Sequence, residues 1–175
     1  MQADLRYPIG NFDIDNPVSE ELLNQYILSI AQLPGKLRAV LQGLNAAQLD
    51  TPYRPGGWTM RQVVHHLPDS HLNGYTRQKL ALTEDRPIIK PYDEAAWAKL
   101  PDSTQGDPQL SVILLEALHQ RWVLLLQGLT PQQLDRTFVH PVNGAQRIRQ
   151  HIGLYAWHGE HHLAQLVALK QSRGW

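Results

Sequence analysis

Cysteine is absent from this chain of 175 residues. Disulfide bonds, thiolate metal ligands and cysteine nucleophiles are therefore excluded. The formal net charge is zero at pH 7, because Lys and Arg together number 16 and Asp and Glu together also number 16. Without a block of like charge, bulk electrostatics attract neither nucleic acid nor an anionic membrane surface.

The sequence has no run of about 18 apolar residues that could span a bilayer. Residues 1–11 lack the basic start and apolar segment of a signal peptide. We therefore expect a cytoplasmic protein with no membrane partner. The length is typical of one domain, so we predict a single domain over residues 1–175.

Signals for helix starts divide the chain into four long helical segments. Residues 19–44 form an amphipathic pattern that Pro34 is expected to end or kink. A capping box at residues 59–62 starts a second helix that runs to about residue 84. Asp107 and Pro108 open the third helix, and residues 143–146 resemble a further cap that starts the last one.

These segments, with no clear alternating strand pattern, predict an all-α four-helix bundle. The long connection after the second helix predicts a crossover, and residues 93–100 and 130–133 predict short extra helices. Residues 138–141 are expected to be extended. The third helix is expected to turn these apolar residues inward: Leu110, Ile113, Leu114, Ala117, Leu118, Trp122 and Leu125.

Histidine is abundant, with nine residues that include the pair His65–His66 and several between residues 151 and 162. His158 and His162 are four positions apart, about 40° around a helix and one turn along it. Two such imidazoles can converge on one metal ion. His151 shares their stripe but lies roughly 10 Å along the axis, and His161 points about 80° away from the midline of the pair.

A third ligand has to come from another helix, and the pair His65–His66 is the obvious source. His66 shares a helix face with Val63 and Ser70, whereas His65 lies about 100° around the helix. We prefer His66 and keep His65 as the alternative. The remaining histidines are interpreted as ordinary surface or partly buried residues: His71, His119 and His140.

Several segments together closely resemble the YfiT-type metal-dependent hydrolases of the DinB superfamily. The most specific is the stretch from Trp58 to His71, which contains Gly-Gly-Trp-Thr just before the helix and Arg-Gln-Val-Val-His-His-Leu within it. Further matching segments are 7–10, 49–54, 91–94 and 154–158. The resemblance covers essentially the whole chain.

This resemblance implies a four-helix bundle, a homodimer, a cytoplasmic location and one zinc or nickel ion per subunit, with zinc preferred. The family's ligands correspond to His66, His158 and His162 here, in agreement with the facing argument. One position departs from the family pattern, because Pro68 stands where a small non-proline residue is usual. Proline there predicts a local kink beside a ligand.

Three neutral imidazoles leave a zinc-like ion with a free position for water or substrate, as in catalytic sites. Hydrolysis of a small molecule is then chemically available, although no catalytic base is identifiable; Asp69 and Glu116 are the carboxylates considered. The residues expected to line a substrate pocket are Asn73, Arg77, Tyr92, Tyr155 and Gln165.

Two other functions stay open at this point. The site could direct a low-molecular-weight thiol of the bacillithiol kind onto an electrophile, an activity that some DinB relatives are thought to have. Such an S-transferase needs a polar or cationic pocket, for which Arg54, Arg77 and Lys90 are candidates. Alternatively, the protein could be a stress-associated metal-binding dimer without turnover.

Overall fold

A computed structural model describes residues 5–175. Four helices of 20 or more residues form its frame, and short helices and a hairpin connect them. The elements in chain order are α1 (Glu20–Leu41), α2 (Ala46–Leu49), α3 (Met60–Thr83), α4 (Glu94–Trp97), α5 (Pro101–Gln105), α6 (Pro108–Gln127), α7 (Pro131–Leu134), β1 (Thr137–His140), β2 (Gly144–Arg147) and α8 (Ile148–Arg173).

The bundle places α3 and α8 side by side, which is what the candidate site requires. Helix α1 packs against α6 and α8, and α3 packs against the same two helices, so α1 and α3 occupy diagonal positions. The predicted all-α four-helix bundle is confirmed. Its core includes fully buried side chains from each part of the bundle, such as Leu37, Leu67, Trp122 and Ile152.

The capping box predicted at the start of α3 is present. Gln62 N–H donates to Thr59 Oγ1 over 3.2 Å, and Thr59 N–H donates to Gln62 Oε1 over 2.9 Å. Thr130 caps α7 in the same way, and Asp107 caps α6 just before Pro108. The Thr59 cap fixes where α3 begins and therefore which face of α3 each histidine occupies.

Two prolines lie inside long helices. Helix α1 does not end at Pro34 but continues to Leu41, because the buried side chains of Leu33 and Leu37 hold both halves against the core. Pro68 lies inside α3, which extends from Met60 to Thr83. The turn before Pro68, which carries His66, is thus part of a helix that extends on both sides of it.

The cap predicted at residues 143–146 is wrong, because these residues belong to a hairpin. Strand β2 pairs antiparallel with β1, and Thr137 lies opposite Arg147 while His140 lies opposite Gly144. Gly144 takes a φ of 76°, which glycine adopts without strain and which lets the chain turn back into β2. Helix α8 therefore begins only at Ile148, with no side-chain cap.

The inward face predicted for α6 is partly wrong. Leu118 and Trp122 are buried as expected, but Leu110, Ile113 and Leu114 are 65%, 59% and 48% exposed. Helix α6 is apolar around most of its circumference, so apolar spacing alone did not define its phase. The face that packs on the core is formed by Val112, Leu115, Leu118, His119, Trp122 and Leu126.

Within residues 5–175, none of the helices combines the length and the apolar character that crossing a membrane requires.

Candidate metal centre

Helices α3 and α8 bring three histidines to one point. His66, His158 and His162 each offer a ring nitrogen, and these nitrogens all lie within 4.8 Å of one another. The Nε2 atoms of His66 and His158 are 3.1 Å apart. Two imidazole nitrogens bound tetrahedrally to one zinc ion are about 3.3 Å apart, given bonds of about 2.0–2.1 Å. The spacing therefore fits a single ion.

The alternative ligand, His65, faces a different helix. Its Nδ1 lies 2.7 Å from Ser111 Oγ, and its Nε2 lies 3.2 Å from the carbonyl oxygen of Gly106. These bonds tie α3 to the start of α6 and leave His65 outside the cluster. The structure thus brings His66, the preferred residue, into the three-histidine cluster.

The other two histidines of α8 also lie outside the cluster, as their spacing predicted. His151 is buried and its Nδ1 is 3.2 Å from the amide nitrogen of Gln78. His161 stacks on Trp157 with ring centroids 4.7 Å apart, and its Nε2 lies 3.0 Å from the amide nitrogen of Gln165. Neither histidine belongs to the group of His66, His158 and His162, whose ring nitrogens lie within 4.8 Å of one another.

A glutamine fixes the proton of His162. Gln165 Oε1 lies 2.9 Å from His162 Nδ1, while Gln165 Nε2 donates to the carbonyl of Arg6 over 3.0 Å. With its amide nitrogen committed as a donor, the amide oxygen must accept from His162 Nδ1–H. The Nε2 atom of a neutral His162 therefore carries a lone pair toward the cluster.

A chain of histidines fixes the proton of His158 in the same sense. The carbonyl of Ile30 accepts from His119 Nδ1–H over 2.6 Å, so the Nε2 of a neutral His119 is an acceptor. His71 Nδ1–H then donates to it over 2.9 Å. This leaves His71 Nε2 to accept from His158 Nδ1–H over 3.2 Å. His158 consequently presents its Nε2 lone pair to the cluster.

The prediction that His71 and His119 are surface or partly buried residues is wrong. Their side chains are 0% and 1% exposed, and they stack with ring centroids 4.9 Å apart. A sequence signal existed for His119, which is spaced with Leu115 and Trp122 on the buried stripe of α6. We name the series Ile30, His119, His71 and His158 the histidine chain.

Burial keeps the three clustered histidines neutral. It lowers the pKa of His66 to about 4. Burial also lowers the pKa values of His158 and His162 well below 6.5, and neighbouring imidazoles lower them further. Neutral imidazole is the form that binds a metal ion, so protons compete weakly for these nitrogens at neutral pH.

The cluster opens on a cavity of about 330 Å³, which we name the site cavity. Trp58 lies over one side of the cluster, with its ring centroid 4.7 Å from that of His66. The indole thus covers a ligand and narrows access to it. The remaining walls are contributed mainly by α3, α8, the segment before α4 and the β1–β2 hairpin.

Three of the residues predicted for the pocket line the site cavity, namely Arg77, Tyr92 and Tyr155. Gln165 and Asn73 do not line the cavity. Gln165 instead accepts a hydrogen bond from His162 Nδ1–H, and Asn73 donates to the carbonyl of Asp69 over 2.8 Å. Tyr155 fits because residue 74 is glycine: a Cβ there would lie 2.7 Å from Tyr155 Cε1.

Neither carboxylate considered from the sequence lines the site cavity. Glu116 pairs with Arg38 on the surface of the bundle, and Asp69 lies outside the cavity wall. Burial, with a smaller contribution from Asp102, raises the pKa of Asp69 to about 6. The carboxylate that does line the cavity is Glu94. The sequence did not indicate it, because Glu94 lies outside the two helices that carry the clustered histidines and helix spacing therefore cannot relate it to them.

Buried histidines make the stability of the metal-free protein depend on pH. Burial, aided by Arg77 and His140, lowers the pKa of His151 to about 3. The unfolded chain takes up this proton near pH 6.5. The contribution of His151 to the free energy of unfolding is thus fully present above pH 6.5. It falls by about 1.4 kcal/mol per pH unit below pH 6.5, until the folded-state pKa of His151 is reached.

We expect His151→Gln to remove this part of the slope, so that its free energy of unfolding declines less steeply than that of the wild type. Urea unfolding of the metal-free proteins at pH 7, 6 and 5 measures the difference. Parallel slopes for the two proteins would show that His151 is not held neutral by the fold.

Fold and site together define a helical-bundle protein with a three-histidine cluster suited to a transition metal. The sequence profile of the DinB superfamily matches residues 29–166, and the chain belongs to that superfamily.

Proteins similar over their whole length come from Bacillus species. One from Bacillus cereus strain 03BB102 is 51% identical over 172 residues, which are 98% of this chain and 99% of the relative. One from Bacillus thuringiensis subsp. konkukian has the same identity and coverage. Both are named as inferred metal-dependent hydrolases.

Solved structures show the same architecture. YfiT from Bacillus subtilis has a TM-score of 0.95. It is described as a metal-dependent hydrolase by inference, and its four-helix bundle is described as having an unusual topology. It is 47% identical, with 98% of each chain covered. TT2238, a four-helix-bundle protein, has a TM-score of 0.57 and is 20% identical, with 83% of this chain and 98% of TT2238 covered. At this identity the similarity is one of fold alone.

Proposed function

We propose that this protein is a metal-dependent hydrolase of a small molecule, with one divalent ion bound by His66, His158 and His162. The observation that carries the proposal is the convergence of three imidazole nitrogens on the edge of a cavity. The names of the Bacillus relatives support the same chemistry. Imidazole suits both zinc and nickel; we propose zinc first, with nickel as the alternative.

Three protein ligands leave a further coordination position, which is typical of catalytic zinc sites. An ion held by His66, His158 and His162 would supply Lewis acidity and would lower the pKa of a water at its free position toward about 7. The chain's own residues position the ligands, through Gln165 and the histidine chain, and Trp58 shields them. Glu94 is the carboxylate we propose for proton transfer, since it lines the site cavity.

The reaction class can be tested with the zinc-loaded and nickel-loaded protein. We expect turnover of members of an ester and amide panel, and loss of that turnover in the His158→Ala variant. A parallel assay supplies low-molecular-weight thiols together with an electrophile. Turnover only in the thiol assay would contradict the hydrolase proposal.

The S-transferase is the second candidate, and Arg77 in the site cavity favours it. A charged thiol cosubstrate requires a cationic group in the pocket, and Arg77 is such a group. Arg54, another candidate from the sequence, bonds to Tyr53 and the Pro55 carbonyl outside the site cavity. Lys90 does not line the cavity either.

We further propose that the protein pairs as a homodimer through the outer face of α6. The family resemblance implies a dimer, and this face exposes Leu110, Ile113, Leu114 and Leu124. An apolar patch of this kind is typical of an interaction surface. We expect Leu114→Glu to convert a dimer into a monomer in light scattering; a dimer that resists the change would contradict this interface.

The single-domain organisation, the cytoplasmic location and the lack of a nucleic-acid partner stay predictions.

A further inference from the structure

Arg77 lies in the wall of the site cavity without a compensating ion pair. The cavity is lined both by the three clustered histidines and by Arg77. Arg77 Nε is buried and has no hydrogen-bond partner among the described residues. The ion pairs found within residues 5–175 do not include Arg77. The guanidinium of Arg77 thus has one N–H, at Nε, without a partner in the cavity that the three histidines also line.

The helix geometry puts Arg77 on the same face as a ligand. Arg77 follows His66 by 11 positions in α3, so the two lie about 20° apart around the axis and roughly 16 Å along it. Side chains of a helix tilt toward its N-terminus. The long Arg77 side chain can thus extend back along the cavity toward His66, past Ser70 on the same stripe.

A second donor in the lining of the site cavity, the Tyr92 hydroxyl, also lacks a partner. The hydroxyl of Tyr92 is buried near Ser70, yet makes no hydrogen bond of standard geometry with a described residue. Burial raises the pKa of Tyr92, so this group remains a donor at neutral pH. The hydroxyl of Tyr155 lies beside Arg77 and Ser70 in the same wall. Several donors thus surround one end of the cavity.

Unpaired buried donors are costly unless a partner satisfies them. Glu94 also lines the cavity, where burial raises its pKa and the charge of Arg77 partly offsets that rise, but the two side chains form no ion pair within 4.0 Å in the described part of the chain. Three neutral imidazoles would also leave the full charge of a bound divalent ion uncompensated. Both features favour an anion in this cavity.

We propose that Arg77 and the Tyr92 hydroxyl form an oxyanion subsite that binds a carboxylate or phosphate group of the substrate, while the reactive group lies at the three-histidine cluster. The proposal rests on the proposed metal site and names the substrate class as a small anionic molecule. The anion and the reactive group are separated by several bonds, because Arg77 and His66 lie three helical turns apart.

The test uses ligands that anchor on the metal and carry the anion at a variable distance. Zinc-loaded protein is titrated calorimetrically with the monohydroxamates of dicarboxylic acids, from succinic to suberic acid. Each acid is compared with the matching neutral amide. We expect one chain length to bind roughly tenfold or more tightly as the acid than as the amide, since charge-assisted hydrogen bonds to Arg are strong.

The variant Arg77→Gln should abolish this preference while leaving the affinity for the neutral amide unchanged. Arg173→Gln makes the same replacement near the end of α8, outside the site cavity, and should keep the preference. Retained preference in Arg77→Gln, or acids and amides that bind wild-type protein equally at every length, would overturn the subsite.

Failure of the metal site gives a different result, because the neutral amides then do not bind at any chain length. In that case the subsite is judged with metal-free protein and inorganic phosphate alone, followed by NMR. Binding to wild type that is lost in Arg77→Gln supports the subsite independently of the metal. Absence of phosphate binding by the metal-free wild type would overturn it.

Discussion

Replacing His158 by alanine is expected to abolish stoichiometric zinc binding while the helical fold remains. His158 Nε2 lies 3.1 Å from the Nε2 of His66, and its ring centroid is 4.6 Å from that of His162, so it links the ligands of the two helices. Loss of groups that merely orient a ligand typically weakens metal binding by about 10- to 100-fold. Loss of the ligand itself should weaken zinc binding by roughly a hundredfold or more.

Metal analysis of the purified variant gives the zinc content, and circular dichroism reports whether the helices form. His65→Ala is the matched control, because His65 is buried on the same helix but bonds to Ser111 and Gly106 instead of the cluster. This control should keep its zinc. Full zinc retention by His158→Ala, or equal loss in His65→Ala, would contradict the ligand assignment.

Replacing His71 by leucine is expected to lower zinc affinity by about 10- to 100-fold, although the three clustered histidines remain. His71 Nε2 accepts the Nδ1 proton of His158 and thereby keeps the His158 Nε2 lone pair free. Without this acceptor, a neutral His158 can carry its proton on Nε2, where it blocks the metal. Zinc binding then has to displace the tautomer equilibrium as well.

A competing chelator measures the zinc affinity, and ¹⁵N NMR of the metal-free protein reports the tautomer of His158. We expect the Nδ1–H form in wild type and a mixture in His71→Leu. His71→Gln, whose amide oxygen can accept the same proton, should restore part of the affinity. An affinity and a tautomer that both stay unchanged in His71→Leu would show that His71 only fills space.

The three-histidine cluster could be predicted from sequence because the position of each histidine depends on local helix geometry. His158 and His162 are one turn apart in α8, and the Thr59 capping box sets the phase of α3. The histidine chain could not be predicted in this way. His71 meets His119 across two helices and 48 positions of sequence, and such a contact depends on how the helices pack.

Packing also explains the errors in α6 and at the start of α8. Helix α6 is apolar around most of its circumference, so the sequence does not define its inner face, and Leu110 and Ile113 were placed inward although they are exposed. Residues 143–146 carry a cap-like pattern, but pairing with β1 determines their conformation instead. Glu94, which was not predicted for the cavity, likewise comes from a segment whose position only the folded chain defines.

The most direct test is a crystal structure of the zinc-loaded protein with anomalous diffraction collected at the zinc edge. The expected result is one strong peak per chain, about 2.0–2.1 Å from the Nε2 atoms of His66, His158 and His162. A peak at another place, or these three side chains pointing away from any peak, would contradict the account.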